Sequence, residues 1–248
     1  MYIQSKVSNG VYWIILNRPE KANAINLEMW RDILARLDEG IMSKDSTVIA
    51  ITGTGKYFSA GEDLGDLSRA ATFTEALNLF LDTMRPVFDK IFRSPKPVIA
   101  AINGIAVGAG AELMFACDMA FATPEATFSL AQGRQGIGPA LALTIGMLRI
   151  GKKNLAELTM TGRKFGPKEA EEWGLINGVA ESGLEAEIER VAREVAQTPP
   201  TLIREIKEVM FREMTILGVE SSFNTIAMYS QSDETKEGIR RFLSKHAG

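Results

Sequence analysis

Glu112 lies in the run Ala100-Ala-Ile-Asn-Gly-Ile-Ala-Val-Gly-Ala-Gly-Ala-Glu112-Leu-Met-Phe-Ala-Cys-Asp118, among small and apolar residues and just past Gly104, Gly108 and Gly110. Burying an unpaired ionisable group costs several kcal/mol, so a carboxylate there needs a partner, a raised pKa or a proton to carry. Glycines without side chains let a ligand approach the backbone N–H groups at a helix start. Polarised donors beside a hidden carboxylate suit enolate chemistry. The bland alternative is a small-residue packing contact with Glu112 in a structural pair.

The rest of the inventory removes other chemistries. The chain has one histidine, His246, two residues from its end, which argues against a Ser–His–Asp triad. One Cys and one His, far apart, do not make a zinc site, and no metal is expected. Cys117, in an apolar helical pattern beside Asp118, reads as a buried, inert thiol. Gly53-Thr-Gly-Lys56 invites a phosphate-loop reading, but Tyr57 follows the lysine where Ser or Thr is required. Gly104, Gly108 and Gly110 do not fit the dinucleotide spacing either.

At 248 residues the chain suffices for one α/β core with a helical appendage, without disulfides. A net charge of −3 with dispersed Lys and Arg argues against nucleic-acid or anionic-membrane surfaces. Met1 to Val7 alternates like a strand and lacks a signal-peptide layout, so a reducing, cytoplasmic setting is expected. The apolar region from Pro97 to Ala122 is interrupted by Asn103, Glu112, Asp118 and glycines, and reads as core rather than as a membrane span.

These residues need elements to position them. Val11–Asn17 and Val48–Thr52 read as strands, and Trp30, Ile33, Leu34, Leu37 and Ile41 mark a helix between them with Asn26 as its N-cap. Leu77, Phe80, Leu81, Met84, Phe88, Ile91 and Phe92 predict one long amphipathic helix ending before Pro95 and Pro97. Val98–Ile102 is a strand feeding the glycine-rich turn; Glu112 stands in a short helix, and Met119–Ala122 begins the next strand. Such alternation implies an α/β core of mainly parallel or spiral strands. Beyond Gly183 the pattern is helical, with Ser232 or Asp233 capping the last helix and a soft boundary near Gln197, giving a core of 1–197 and a helical region of 198–248.

Four segments together resemble the crotonase (enoyl-CoA hydratase/isomerase) superfamily: Asn17-Arg-Pro-Glu-Lys-Ala-Asn-Ala-Ile25, Phe58-Ser-Ala-Gly-Glu-Asp-Leu64, Lys96 to Leu113, and Thr161 to Ile176. The resemblance implies a spiral of ββα units, a C-terminal helical trimerisation region, a homotrimer or dimer of trimers, and a CoA-thioester substrate with no separate cofactor. It assigns an oxyanion hole to the backbone N–H groups of Glu62 and Ala109, with their side chains incidental. Each such donor is worth about 3–4 kcal/mol as charge develops. Where the family often has Gly, the methyl of Ala109 trims the pocket. The CoA would lie along Lys21, Ala22 and Ala24, along Ala60, Gly61, Asp63 and Leu64, and past Gly108. Phe242 and Lys245 match C-terminal residues that reach CoA, commonly across a subunit boundary, while Arg18, Lys56 and Lys21 supplement the phosphate field. Leu67, the Phe73–Leu81 region and Leu141 are candidates for the acyl pocket.

Glu112 matches the first of the two glutamates that hold water in the family's hydratases. The second should follow Phe128, but Gln132 stands there, and an amide orients water without transferring a proton. General acid–base help is worth roughly 10²–10⁴ in rate, so Glu112 must do both jobs in a hydratase. A double-bond isomerase needs only one carboxylate, yet Ala140 occupies the position where one isomerase subgroup keeps its acid. Hydration of 2-enoyl-CoA leads, followed by isomerisation or another enolate reaction (decarboxylation, retro-aldol cleavage, thioester hydrolysis), and then by a non-catalytic acyl-CoA-binding subunit.

Overall fold

Runs of β-branched and aromatic residues with both faces covered fold here as three successive strand pairs. In the computed structural model, which describes residues 1–215, 227 and 230–245, the antiparallel hairpin β1 (Ile3–Ser8) and β2 (Gly10–Leu16) comes first. The pairs follow: β3 (Ser46–Gly53) with β4 (Tyr57–Ser59), β5 (Val98–Ile102) with β6 (Ile105–Val107), and β7 (Met119–Ala122) with β8 (Thr127–Ser129). Short strands β9 (Lys164–Phe165) and β10 (Gly178–Val179) complete the set.

The first strand of each pair enters one sheet and the second enters another. The larger sheet has the order β1-β2-β3-β5-β7-β10, parallel from β2 onward, and the smaller β4-β6-β8-β9. Asn103 locks the turns between the sheets: its Oδ1 accepts from the Gly53 N–H at 2.9 Å and its Nδ2 donates to the carbonyls of Gly55 and Tyr57. A Cβ on Gly104 would lie 2.2 Å from the Lys56 carbonyl oxygen, so only glycine permits this crossing.

Helix α1 (Leu27–Met42) starts where expected, with Asn26 Oδ1 accepting the Met29 N–H at 2.9 Å, and it buries Met29, Trp30, Ile33 and Leu37. The long helix expected around Leu77–Phe92 is broken. After the short α2 (Leu64–Leu67) come α3 (Phe73–Leu79), a π turn over Phe80–Met84 and α4 (Arg85–Arg93). Pro86 has no N–H to continue the α ladder, Arg85 bonds the Phe80 carbonyl five residues back, and the Thr83 hydroxyl takes the Leu79 carbonyl. Periodicity alone missed this.

Every residue of α5 (Ala109–Ala116) is buried, Glu112 included. It is followed by α6 (Ala140–Arg149), α7 (Gly151–Thr161), α8 (Pro167–Glu172), α9 (Leu184–Val195), α10 (Pro200–Thr215) and α11 (Asp233–Lys245). Ser232, rather than Asp233, caps α11 by accepting the Thr235 N–H. Ile188, Val191 and Ala192 of α9 pack on Val11, Trp13 and Val48 of the larger sheet. The buried Lys207 of α10 pairs with Asp118 and donates to the carbonyls of Ile91 and Lys96, tying α10 to α4 and to the entry of β5. Among the described residues no helix is long and apolar enough to cross a membrane, and no group of His, Cys, Asp or Glu could hold a metal.

Candidate active site

Two backbone segments meet in front of Glu112. In the first, Ile25 brackets Glu62 through two main-chain bonds: its N–H donates to the Gly61 carbonyl at 2.8 Å and its carbonyl accepts from Asp63 at 2.9 Å. The Glu62 N–H is thereby turned the other way. In the second, Gly108 (φ 54°) turns the chain into α5 and leaves Ala109 at the first helical position, where an N–H has no intrahelical acceptor. Among the described residues neither the Glu62 nor the Ala109 N–H has an acceptor.

The two segments are pressed together by glycines. A Cβ on Gly61 (φ 96°) would lie 2.8 Å from the Val107 carbonyl oxygen and 3.0 Å from the Ala109 nitrogen, and one on Gly110 would lie 2.6 Å from the Ser59 carbonyl oxygen. That close approach sets the Ser59–Gly61 main chain directly against the start of α5.

Glu112 stands one turn beyond Ala109, on the same face of α5. Its Oε1 accepts the Ala142 N–H at 3.0 Å, and Oε2 receives a long hydrogen bond of 3.4 Å from Gln132 Nε2. Burial pushes its pKa up to about 7, against the backbone N–H groups of Ala142 and Leu141 and the Gln132 amide, which favour the anion. Such a group both accepts and releases a proton near neutral pH. Gln132 Oε1 is buried and has no hydrogen-bond partner among the described residues.

These groups line a cavity of about 640 Å³. Lys21, Ala22, Ala24, Ala60, Asp63, Leu64, Gly108 and Phe242 all line it, as do Glu62, Ala109, Glu112 and Gln132. Gly61 is buried in the wall instead. Phe242 of α11 reaches the cavity of its own chain. The Lys245 side chain and His246 lie outside the described residues. Of the acyl-pocket candidates, Leu67 and Phe80 line the cavity and Leu141 is absent from its wall. The cation set is smaller than expected: Arg18 is paired to Asp63 at 2.7 Å and Lys56 does not line the cavity, which leaves Lys21. Cys117 is buried, and desolvation drives its thiol pKa up, away from the nucleophilic form.

Three features were missed. The N-terminus of α6 supplies the Ala142 bond to Glu112; Gly138-Pro139 ahead of an apolar run was its sequence signal. Met84, set by the π turn, joins Phe80 in the wall. The side chain of Glu62 is not incidental: its Oε2 accepts Trp30 Nε1–H at 2.7 Å, and burial raises its pKa to about 8. A fully buried Trp30 needs an acceptor for its N–H, and that need was readable.

The chain matches the enoyl-CoA hydratase/isomerase family over residues 6–247. It is 31% identical to the 1,2-epoxyphenylacetyl-CoA isomerase of Escherichia coli, with 99% of this chain and 97% of that protein covered. It is 28% identical to the 2,3-dehydroadipyl-CoA hydratase of the same organism, over 95% and 92%. An enoyl-CoA hydratase/isomerase from Xanthobacter autotrophicus superposes with a TM-score of 0.86 at 30% identity, covering 100% of this chain and 96% of that one. From the whole-chain match, the chain belongs to the enoyl-CoA hydratase/isomerase family and is an enzyme of that type.

Proposed function

We propose that the protein is a 2-enoyl-CoA hydratase in which Glu112 is both base and acid. The observation that carries this reading is the buried Glu112 carboxyl, raised to about 7, bonded to Gln132 and set one turn behind a free N–H donor. The thioester oxygen takes the N–H groups of Glu62 and Ala109. A water held by the Gln132 amide loses a proton to Glu112 as its oxygen bonds C3, and the C2–C3 π electrons pass to the thioester oxygen as an enolate. Glu112 then returns the proton to C2, giving 3-hydroxyacyl-CoA. The pantetheine and adenine run along Lys21, Ala22, Ala24 and Leu64 toward Phe242, with Lys21 near the phosphates. Self-association belongs to the same reading, supported by the exposed Leu202, Ile206, Val209 and Met210 on α10.

Isomerisation is the second reading, favoured by the single proton carrier of the Glu112–Gln132 couple. Glu112 would take a proton from C2 of a 3-enoyl-CoA and return it to C4. Incubation with crotonyl-CoA in deuterated water separates the two: loss of the conjugated-thioester absorbance with water added and deuterium at C2 supports hydration. Exchange on 3-enoyl-CoA without water addition replaces it with isomerisation.

A further inference from the structure

Gln132 reaches Glu112 across 3.4 Å, near the limit of a hydrogen bond, so a small retreat of its backbone breaks the contact. It stands in a 3-10 turn, Ala131–Gln135, none of whose residues is buried, and that turn is held by its neighbours. Arg134 ties it to α7 through the Thr161 carbonyl at 2.9 Å, and α11 meets it just beyond Gln135. There the fully buried Thr235 donates its hydroxyl to the Gly136 carbonyl at 2.6 Å, while Ser232 Oγ donates to Thr235 Oγ1 at 3.0 Å. The other end of the same peptide unit, the Ile137 N–H, donates to the Gln132 carbonyl at 3.1 Å. One peptide group thus carries the Thr235 hydroxyl on its oxygen and the Gln132 main chain on its N–H, and each bond polarises the other.

The packing around this link leaves no slack. A Cβ on Gly136, whose φ is 77°, would lie 2.8 Å from the Thr235 Cα, and one on Gly238 would lie 2.6 Å from the Gln135 carbonyl oxygen. Ile239 anchors the same helix in the hydrophobic core. Further along α11, Phe242 and Leu243 line the cavity together with Gln132, Gln135 and Ile137. The helix that supplies part of the cavity wall is therefore also the one lashed to the turn that carries Gln132.

Resting on the hydratase reading, we propose that Thr235 is a positioning residue: through the Gly136–Ile137 peptide its hydroxyl holds Gln132 within hydrogen-bond reach of Glu112. Loss of that hydroxyl takes the donor from the Gly136 carbonyl and lets the turn relax away from α11, which lengthens a Gln132–Glu112 bond that is already long. Glu112 responds, because the Gln132 amide is one of the groups that favour its anion.

The test measures crotonyl-CoA hydration against pH in the wild type, Thr235→Val, Thr235→Ser, Gln132→Leu and the double variant Thr235→Val, Gln132→Leu. Valine keeps the shape of threonine and drops the donor. In Thr235→Val, kcat should fall about tenfold with KM within a few-fold, and the acidic limb of kcat/KM should move to higher pH, as it does in Gln132→Leu. Thr235→Ser, which keeps the hydroxyl, should restore most of the rate. On the Gln132→Leu background the valine should cost less than about twofold, because the side chain it positions is gone. An equal loss on that background, an unmoved limb in Thr235→Val, or a serine variant as slow as the valine one overturns the proposal. Where the valine chain does not fold, Thr235→Cys, a weaker donor of similar size, takes its place with a smaller loss in the same direction. Carbon NMR titration of the Glu112 carboxyl, identified by the resonance missing from Glu112→Gln, separates the two readings. A titration moved by Thr235→Val without hydration of crotonyl-CoA removes the hydratase reading and keeps the positioning role, whereas hydration with an unmoved titration does the reverse.

Discussion

Gln132 Nε2 donates to Glu112 Oε2 across 3.4 Å, so an amide and one carboxyl face each other at a place where the family's hydratases use two acids. The pair has a single titrating group. That group is Glu112, whose pKa burial raises to about 7.

Glu112→Gln should therefore lower kcat by at least about a hundredfold and leave KM within a few-fold, since the neutral amide still fits the Ala142 N–H but carries no proton. Steady-state kinetics on crotonyl-CoA checks this, and undiminished turnover would remove Glu112 from the chemistry.

In the proposed hydration the Glu112 anion is the base, so kcat/KM should rise with pH through about 7. Gln132→Leu withdraws a hydrogen bond that favours the anion, so the limb should move to higher pH while kcat falls about tenfold. A limb that stays in place would show that the Gln132 bond has no bearing on the ionisation of Glu112.

Linkage gives the same group a stability signature. The Glu112 pKa in the folded state lies above its ordinary value of 4.5, so its contribution is fully present below about 4.5 and is lost as pH rises through about 7. Glu112→Gln escapes that loss. The thermal midpoint of the variant relative to wild type should be higher at pH 8.5 than at pH 5; equal differences at the two pH values would contradict the raised pKa.

Gly61→Ala should lower kcat by about a hundredfold or more by spreading the two N–H donors, because its methyl would lie 2.8 Å from the Val107 carbonyl oxygen at a φ of 96°. Thermal melting should show a smaller accompanying loss of stability, of about 1–3 kcal/mol. Near-normal turnover in a folded variant would place the oxyanion donors elsewhere.

Lys207→Met, outside the cavity lining, should cost about 1–3 kcal/mol by taking from the partly buried Asp118 its ion-pair partner. Burial already raises the Asp118 pKa. Urea midpoints would check this, and the double variant Lys207→Met, Asp118→Asn should recover part of the loss.

Composition and periodicity determined much of this protein. The strands at Val98–Ile102 and Met119–Ala122, the Asn26 cap, the buried thiol and the isolation of Glu112 among small residues all follow from local rules of burial, capping and conformational freedom. The π turn did not, because a helical apolar stripe stays in phase while one proline shifts the backbone bonds beneath it. Nor did the pairing of Arg18 with Asp63, 45 residues apart, which withdraws an expected cation from the phosphate field. The partners of Glu112 come from Gln132 and Ala142, 20 and 30 residues away, and Glu62 meets Trp30 across 32. A sequence shows which groups are costly to bury; only the packed chain decides which distant donor or acceptor satisfies each, and that choice sets their charge.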